Sequence, residues 1–185
     1  LGGHIDSWDV GQGAMDDGGC SVAAWEAVRL MKQLGLKPKR TVRVVLWTNE
    51  ENGGRGGRAY RDAHLNEISK HTVAMECDGG VFRPLGFKFQ GTDAGLAFVK
   101  QVGALLERIG AARVERGDGE ADVGPLIQRG VPGLGLDVDA SKYFWYHHTW
   151  ADMMTVIDRQ DLARCVATMA VMTYVLADLD SMVPR

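Results

Sequence analysis

The sequence predicts an α/β fold, a three-layer α/β/α sandwich built on a mixed, mostly parallel sheet. Three observations carry that prediction. Apolar, β-branched runs alternate along the chain with stretches of helical periodicity, as successive β-α units do. The runs are apolar almost throughout, as expected of strands covered on both faces. The polar, glycine-flanked segments "GGHID", "NEENGG" and "ECDGG" each follow such a run, and the carboxyl ends of parallel strands are where such sheets gather ligands.

The opening "LGGHID" reads as the end of a buried strand whose earlier residues lie outside the sequence, so the domain is expected to be N-terminally incomplete. Residues 20–34 place Val22, Trp25, Ala27 or Val28, Met31 and Leu34 at helical spacing, with Gly35 and Pro38 ending the helix. "TVRVVLWT" (41–48) is expected as a buried central strand, followed by the "NEENGG" loop. A short helix over "GRAYRDAHLNEI" then leads into a second buried strand, "HTVAMECD" (71–78). "GFKFQG" reads as a further strand and the segment from Asp93 to Gly110 as an amphipathic helix. A short helix at "DVGPLIQRG" precedes a third core strand, "VPGLGLDV". The last element is a long helix with Asp158 as N-cap and Asp161 three residues on.

A chain of 185 residues forms one domain with a full hydrophobic core. A net charge of −3 gives no electrostatic basis for nucleic acid or an anionic membrane. No run approaches the roughly 18 apolar residues of a membrane span. Cys20, Cys77 and Cys165 form no CxxC pair and are expected as buried free thiols.

The chemistry lies in "AMDDGG" (14–19). Adjacent aspartates repel, and a cation is what would keep them together. His4, Asp6, Asp16, Asp17, Glu50, Glu51, Asp78, His147 and His148 fall beside glycines or strand ends. Singly, each has an ordinary structural explanation; jointly they converge on one sheet edge. Carboxylates with imidazoles suit zinc or a similar divalent ion without thiolate. So many ligands exceed what one open tetrahedral zinc needs and fit two ions sharing a bridging carboxylate. In extended backbone Glu50 and Glu51 would point in opposite directions, so that one could ligate while the other serves as base.

"GGHIDSWDVGQGAMDDGG", "LWTNEENGG", "MECDGG" and "YFWYHHTWADMMTV" resemble the zinc aminopeptidase and glutamate carboxypeptidase family of metallopeptidases, in motif order and spacing along essentially all 185 residues. The resemblance implies a metallopeptidase catalytic domain over residues 1–185, with a preceding segment and an inserted protease-associated domain absent. It implies two Zn2+ per chain held by His4, Asp16, Glu51, Asp78 and His148, with Asp16 bridging and Glu50 as general base toward metal-activated water. Asp6 would orient His4 through its other ring nitrogen. Asp16–Asp17 would carry the family's cis peptide. The family ligand lies four residues before the aspartate of an Asp-Thr pair, which selects His148 by counting from Asp152; here Met153 follows Asp152. His147 then either contacts substrate or packs, with packing the simpler reading. Asp122 either shapes the substrate pocket or caps a helix, and "YFWY" (143–146) supplies either pocket walls or core contacts.

The function so implied is hydrolysis of dipeptides or short peptides by a secreted or periplasmic exopeptidase, whether aminopeptidase, carboxypeptidase or dipeptidase. Two rivals stand beside it. A glutaminyl-cyclase-like acyltransferase would hold a single zinc, and a non-catalytic peptidase-fold binding domain would lack ligands. An incomplete sheet would also expose an apolar face or cover it by self-association as a homodimer.

Overall fold

The computed structural model describes residues 1–185. Its strands are β1 (Gly2–His4), β2 (Val45–Trp47), β3 (Ala74–Glu76), β4 (Pro84–Gln90), β5 (Arg113–Arg116) and β6 (Gly133–Val138). They form one sheet in the order β2-β1-β3-β6-β4-β5. All neighbours are parallel except β4 and β6, which run antiparallel. The helices are α1 (Gly19–Gln33), α2 (Arg55–Ala63), α3 (Asp93–Gly103), α4 (Gly124–Ile127) and α5 (Arg159–Asp178). Helix α5 packs against α1 and α3, whereas α2 packs against α4. This is the mixed α/β sandwich expected.

The main core lies under α1, α3 and α5. Phe87, Phe89, Leu134, Met169 and Met172 are wholly buried in it. The other face buries only Trp47, Ala74, Val123, Leu126 and Val131, with Tyr60 against them. A groove of about 410 Å³ lies beside this smaller cluster, lined by Leu1, Val45, Trp47, Tyr60, His71 and Leu176 among others.

Helix α1 is turned differently from the expectation. Its inward residues are Cys20, Ala23, Ala24, Ala27 and Met31, while Val22, Trp25 and Leu34 are more than half exposed. The small side chains allow the helix backbone to lie close to the sheet; a Cβ on Gly19 would come within 2.9 Å of Val81. Close approach outweighs the burial of three larger side chains here. Helix α5 begins as expected, with Asp158 Oδ1 accepting from the Gln160 and Asp161 N–H groups.

Three other expectations change. The run 41–48 is not a central strand: only Val45–Trp47 pair, and they form the sheet edge, with Leu46 45% exposed. An apolar β-branched run specifies extended backbone but not position within the sheet. Strand β5 escaped notice because "RVER" offers one apolar residue; it is a charged edge strand, the composition that discourages further pairing. Finally, Cys20 and Cys77 are joined by a disulfide, so only Cys165 remains a buried free thiol. The residues lie 57 apart, and only the fold brings them together. No helix is long and apolar enough to cross a membrane.

Candidate metal centre

The carboxyl ends of three adjacent parallel strands build the centre. His4 is the last residue of β1, Asp78 lies two residues past β3, and Glu50 and Glu51 occupy the turn after β2. The turn 14–18 brings Asp16 and Asp17 over the same edge, and the segment after β6 brings His147 and His148. The peptide Asp16–Asp17 is cis.

Asp16 is central. Its Oδ1 lies 3.2 Å from His4 Nε2, which is also 3.2 Å from Asp78 Oδ1. Its Oδ2 lies 3.2 Å from His148 Nε2, which is 2.9 Å from Glu51 Oε2. One carboxylate thus faces two separate imidazole–carboxylate pairs. Glu50 stands beside the first pair, its Oε2 4.0 Å from His4 Nε2.

The donor set fits divalent cations. Asp16 Oδ2 and Glu51 Oε1 are buried and have no hydrogen-bond donor. Buried carboxylate oxygens without donors are costly unless a positive charge reaches them. His4 with Asp16 and Glu51, and Asp16 with His147 and His148, each bring ligand atoms within 4.8 Å of one another. Nitrogen and oxygen ligands without thiolate match zinc and its neighbours.

The electrostatics report the same deficit of positive charge. Burial opposes protonation of His4, yet Asp16 and Asp78 outweigh it and hold its pKa up to about 12. Burial, followed by the Asp78 charge, pushes Glu50 up to about 7. Burial and then Asp16 raise Glu51, and burial and then Asp78 raise Asp17 well above the usual carboxylate range.

The supporting hydrogen bonds correct part of the sequence reading. His4 Nδ1 bonds to the Asp6 backbone carbonyl at 2.8 Å, not to the Asp6 carboxylate. That carboxylate instead accepts the backbone N–H groups of Glu50 and Glu51, at 3.2 and 3.3 Å. Asp6 therefore orients a histidine with its main chain and the glutamate turn with its side chain. Glu50 and Glu51 diverge because of that turn, not because of extended backbone. Asn49 just before them and His148 both have positive φ, 63° and 58°. Such strain in non-glycine residues concentrates at functional sites.

Asp122 is not a helix cap: the residue preceding α4 is Val123, and it offers no side-chain bond. Asp122 is instead buried beside the centre, where burial pushes its carboxyl up to about 6. Its N–H and that of Val123 bond to the buried Glu76 carboxylate, at 3.0 and 3.1 Å. His147 stacks on His148 with ring centroids 3.6 Å apart, and its Nε2 lies 3.5 Å from Asp16 Oδ2. The "YFWY" segment divides: Phe144 and Trp145 are 79% and 63% exposed, whereas Tyr146 stacks on Phe82 against the main core. Tyr143 alone turns inward toward the centre, donating its hydroxyl to the Asp78 carbonyl at 3.2 Å.

Four further side chains support the centre, and of these only Asp17 was singled out from sequence. Asp17 Oδ2 accepts the His4 N–H at 2.8 Å. Trp8 Nε1 donates to Glu51 Oε2 at 2.6 Å. Asp152, used above only for counting, accepts from the N–H groups of Met15 and Asp16. Glu76 anchors the Asp122 loop. Of the other three, only Asp152 had a signal, its fixed offset from His148; the remaining contacts join residues whose proximity is tertiary.

Comparison with known proteins shows the family and the fold. The family model described as Peptidase family M28 matches residues 1–173. Carboxypeptidase Q of Mus musculus is 48% identical over 183 residues, covering 99% of this chain and 39% of its own length. Carboxypeptidase Q of Homo sapiens is 47% identical over 184 residues, with the same coverage. Among solved structures, a peptidase M28 precursor from Shewanella amazonensis SB2B superposes with a TM-score of 0.93 at 35% identity, covering 100% of this chain and 42% of its own. An aminopeptidase from Aneurinibacillus sp. strain AM-1, 20% identical with a TM-score of 0.76 over 99% of this chain and 44% of its own, shares the fold. The chain spans about two-fifths of the length of the curated relatives it matches.

Proposed function

The chain belongs to Peptidase family M28, and from that premise we propose that it carries the metal centre of a co-catalytic di-zinc exopeptidase acting on dipeptides or short peptides. The observation that carries this reading is the division of Asp16: one oxygen toward His4 and Asp78, the other toward His148 and Glu51. His4, Asp78 and Asp16 would hold one ion; His148, Glu51 and Asp16 would hold the other. When bound, such a pair polarises the scissile carbonyl and acidifies the attacking water.

The remaining steps belong to the chain. Glu50 accepts the proton of the attacking water, a task for a carboxylate placed beside the ligands without being one of them. It then returns that proton to the leaving amine. Asp6 holds the Glu50 backbone in place, and its carbonyl sets the His4 tautomer so that Nε2 is free to ligate. Trp8 and Tyr143 fix Glu51 and the Asp78 loop. The substrate is a small peptide, bound beside His147 and the Asp122 loop; neither nucleic acid nor membrane is a partner. The Cys20–Cys77 disulfide favours a secreted or periplasmic location, where oxidising conditions preserve such bonds.

The test is metal content with activity. Zinc loading followed by elemental analysis should find two ions per chain, and a chelator should abolish dipeptide hydrolysis. A single tightly held zinc would favour the acyltransferase alternative, and chelator-insensitive hydrolysis would sink the metallopeptidase reading.

A further inference from the structure

Cys20 and Cys77 are both wholly buried, and each sits beside the acidic segments of the centre. Cys77 immediately precedes Asp78; Cys20 lies three residues after Asp17, in the first turn of α1. The disulfide therefore ties the Asp16–Asp17 turn to the end of β3. His4 lies between these two segments, with Nε2 3.2 Å from the carboxylate of each.

These acids need a restraint. His4, Asp17 and Asp78 bring side-chain ligand atoms within 4.8 Å of one another, so two carboxylates crowd one imidazole. Without cations, like charges at that separation repel and favour separation of the two segments. The Asp78 side chain has only His4 as a hydrogen-bond partner, and two glycines follow it, Gly80 with φ 77°. Downstream, the one side-chain tie to Asp78 is the Tyr143 hydroxyl on its carbonyl. Upstream, the Cys77 N–H bonds to the Gly2 carbonyl at 3.1 Å and its sulfur is covalently held.

We propose that the Cys20–Cys77 disulfide is a positioning crosslink for the metal centre, holding the Asp16 and Asp78 carboxylates at ligating separation before any ion binds. The inference rests on the two-metal reading above. The bond's effect falls on Asp78, and so on the ion shared by His4, Asp78 and Asp16, because the Asp16 turn keeps its separate Asp152 clamp and neither Glu51 nor His148 lies on a tethered segment. Cys20 and Cys77 touch no reacting atom; they act through Asp16 and Asp78.

The experiment measures stepwise zinc affinities by competition with a chromophoric chelator, in the wild-type chain and in the double variant Cys20→Ala/Cys77→Ala. One of the two binding steps should weaken by about tenfold or more, the scale on which residues supporting metal ligands act, while the other stays unchanged. Excess zinc should restore occupancy of the weakened step. Unchanged affinities for both steps, with only a lower melting temperature, would reduce the bond to a structural brace and overturn the proposal. So would three free thiols in the denatured, unreduced wild type, since the bond would then be absent. Should the double variant fail to fold, wild-type protein treated with a phosphine reductant gives the same information. Loss of one zinc as two thiols appear supports the proposal, and thiols appearing with both zincs retained overturn it. Wild-type chain binding fewer than two zincs refutes the two-metal reading itself, an outcome separable from unchanged affinities in a chain that binds two.

Discussion

Asp152 reaches back across the chain to Asp16 and accepts the backbone N–H of that residue at 3.1 Å, while its other oxygen takes the N–H of Met15 at 2.6 Å. The segment that delivers His148 thereby clamps the turn that delivers Asp16. Asp152 is only 4% exposed, so water cannot readily replace it. Asp152→Ala should cost about 1–3 kcal/mol for each buried donor left unpaired and should weaken metal binding through displacement of Asp16. Chemical denaturation with and without zinc checks both parts. Equal stability in the metal-free variant and wild type would contradict the clamp.

The division of labour among the acids predicts a graded response to their removal. Asp16→Ala should impair both zinc-binding steps, because both imidazole–carboxylate pairs face its oxygens. Asp78→Ala and Glu51→Ala should each impair one step and leave a singly loaded chain. Elemental analysis after dialysis against limiting zinc distinguishes the three variants. Identical metal loss in all of them would refute the two-pair geometry.

Glu50 contacts neither Asp16 nor His148 and is the acid free to move a proton. Glu50→Gln should retain the metal content of wild type and lose turnover by about 10²–10⁴-fold, the usual contribution of general acid–base catalysis. Loss of zinc in this variant would make Glu50 a ligand, not a base.

The same residue predicts a pH signature in the metal-free chain. Burial, with Asp78 second, raises Glu50 from its ordinary 4.5 to about 7. A raised carboxyl binds its proton more tightly in the folded state, so the unfolded chain ionises first as pH rises from about 4.5. The folded state loses stability through this window, and the loss levels off above about 7. Glu50→Gln removes that component. Its melting temperature should match wild type near pH 4 and exceed it increasingly up to pH 7, in scanning calorimetry of chelator-treated protein. A constant difference across that range would contradict the shift.

How far the candidate site was legible in the sequence depended on the kind of signal. His4, Asp16, Glu51 and Asp78 stand at strand ends or in glycine-bracketed turns, which local pattern reveals; His148 was selected by the family offset from Asp152, and the structure brings all five together around Asp16. The supports did not announce themselves. Trp8, Tyr143 and Glu76 are ordinary residues in sequence; what makes them relevant is hydrogen bonding across 43 residues for Trp8, 65 for Tyr143, and 46 and 47 for Glu76. Asp6 illustrates the limit within a correct choice. Its proximity to His4 was legible, but which of its groups bonds to the imidazole depends on where the glutamate turn places two N–H donors.

The sequence by itself determined the alternation of strand and helix, the α/β class and the identity of the acids and imidazoles, because periodicity and local turn chemistry are properties of neighbouring residues. Tertiary structure alone decided that 41–48 would contribute a sheet edge, that α1 would bury its alanines instead of Trp25, and that Cys20 would bond to Cys77. Each of these depends on which distant surfaces meet. Strand order, helix rotation and sulfur pairing are chosen by close packing among elements far apart in the chain, and no local pattern encodes that competition.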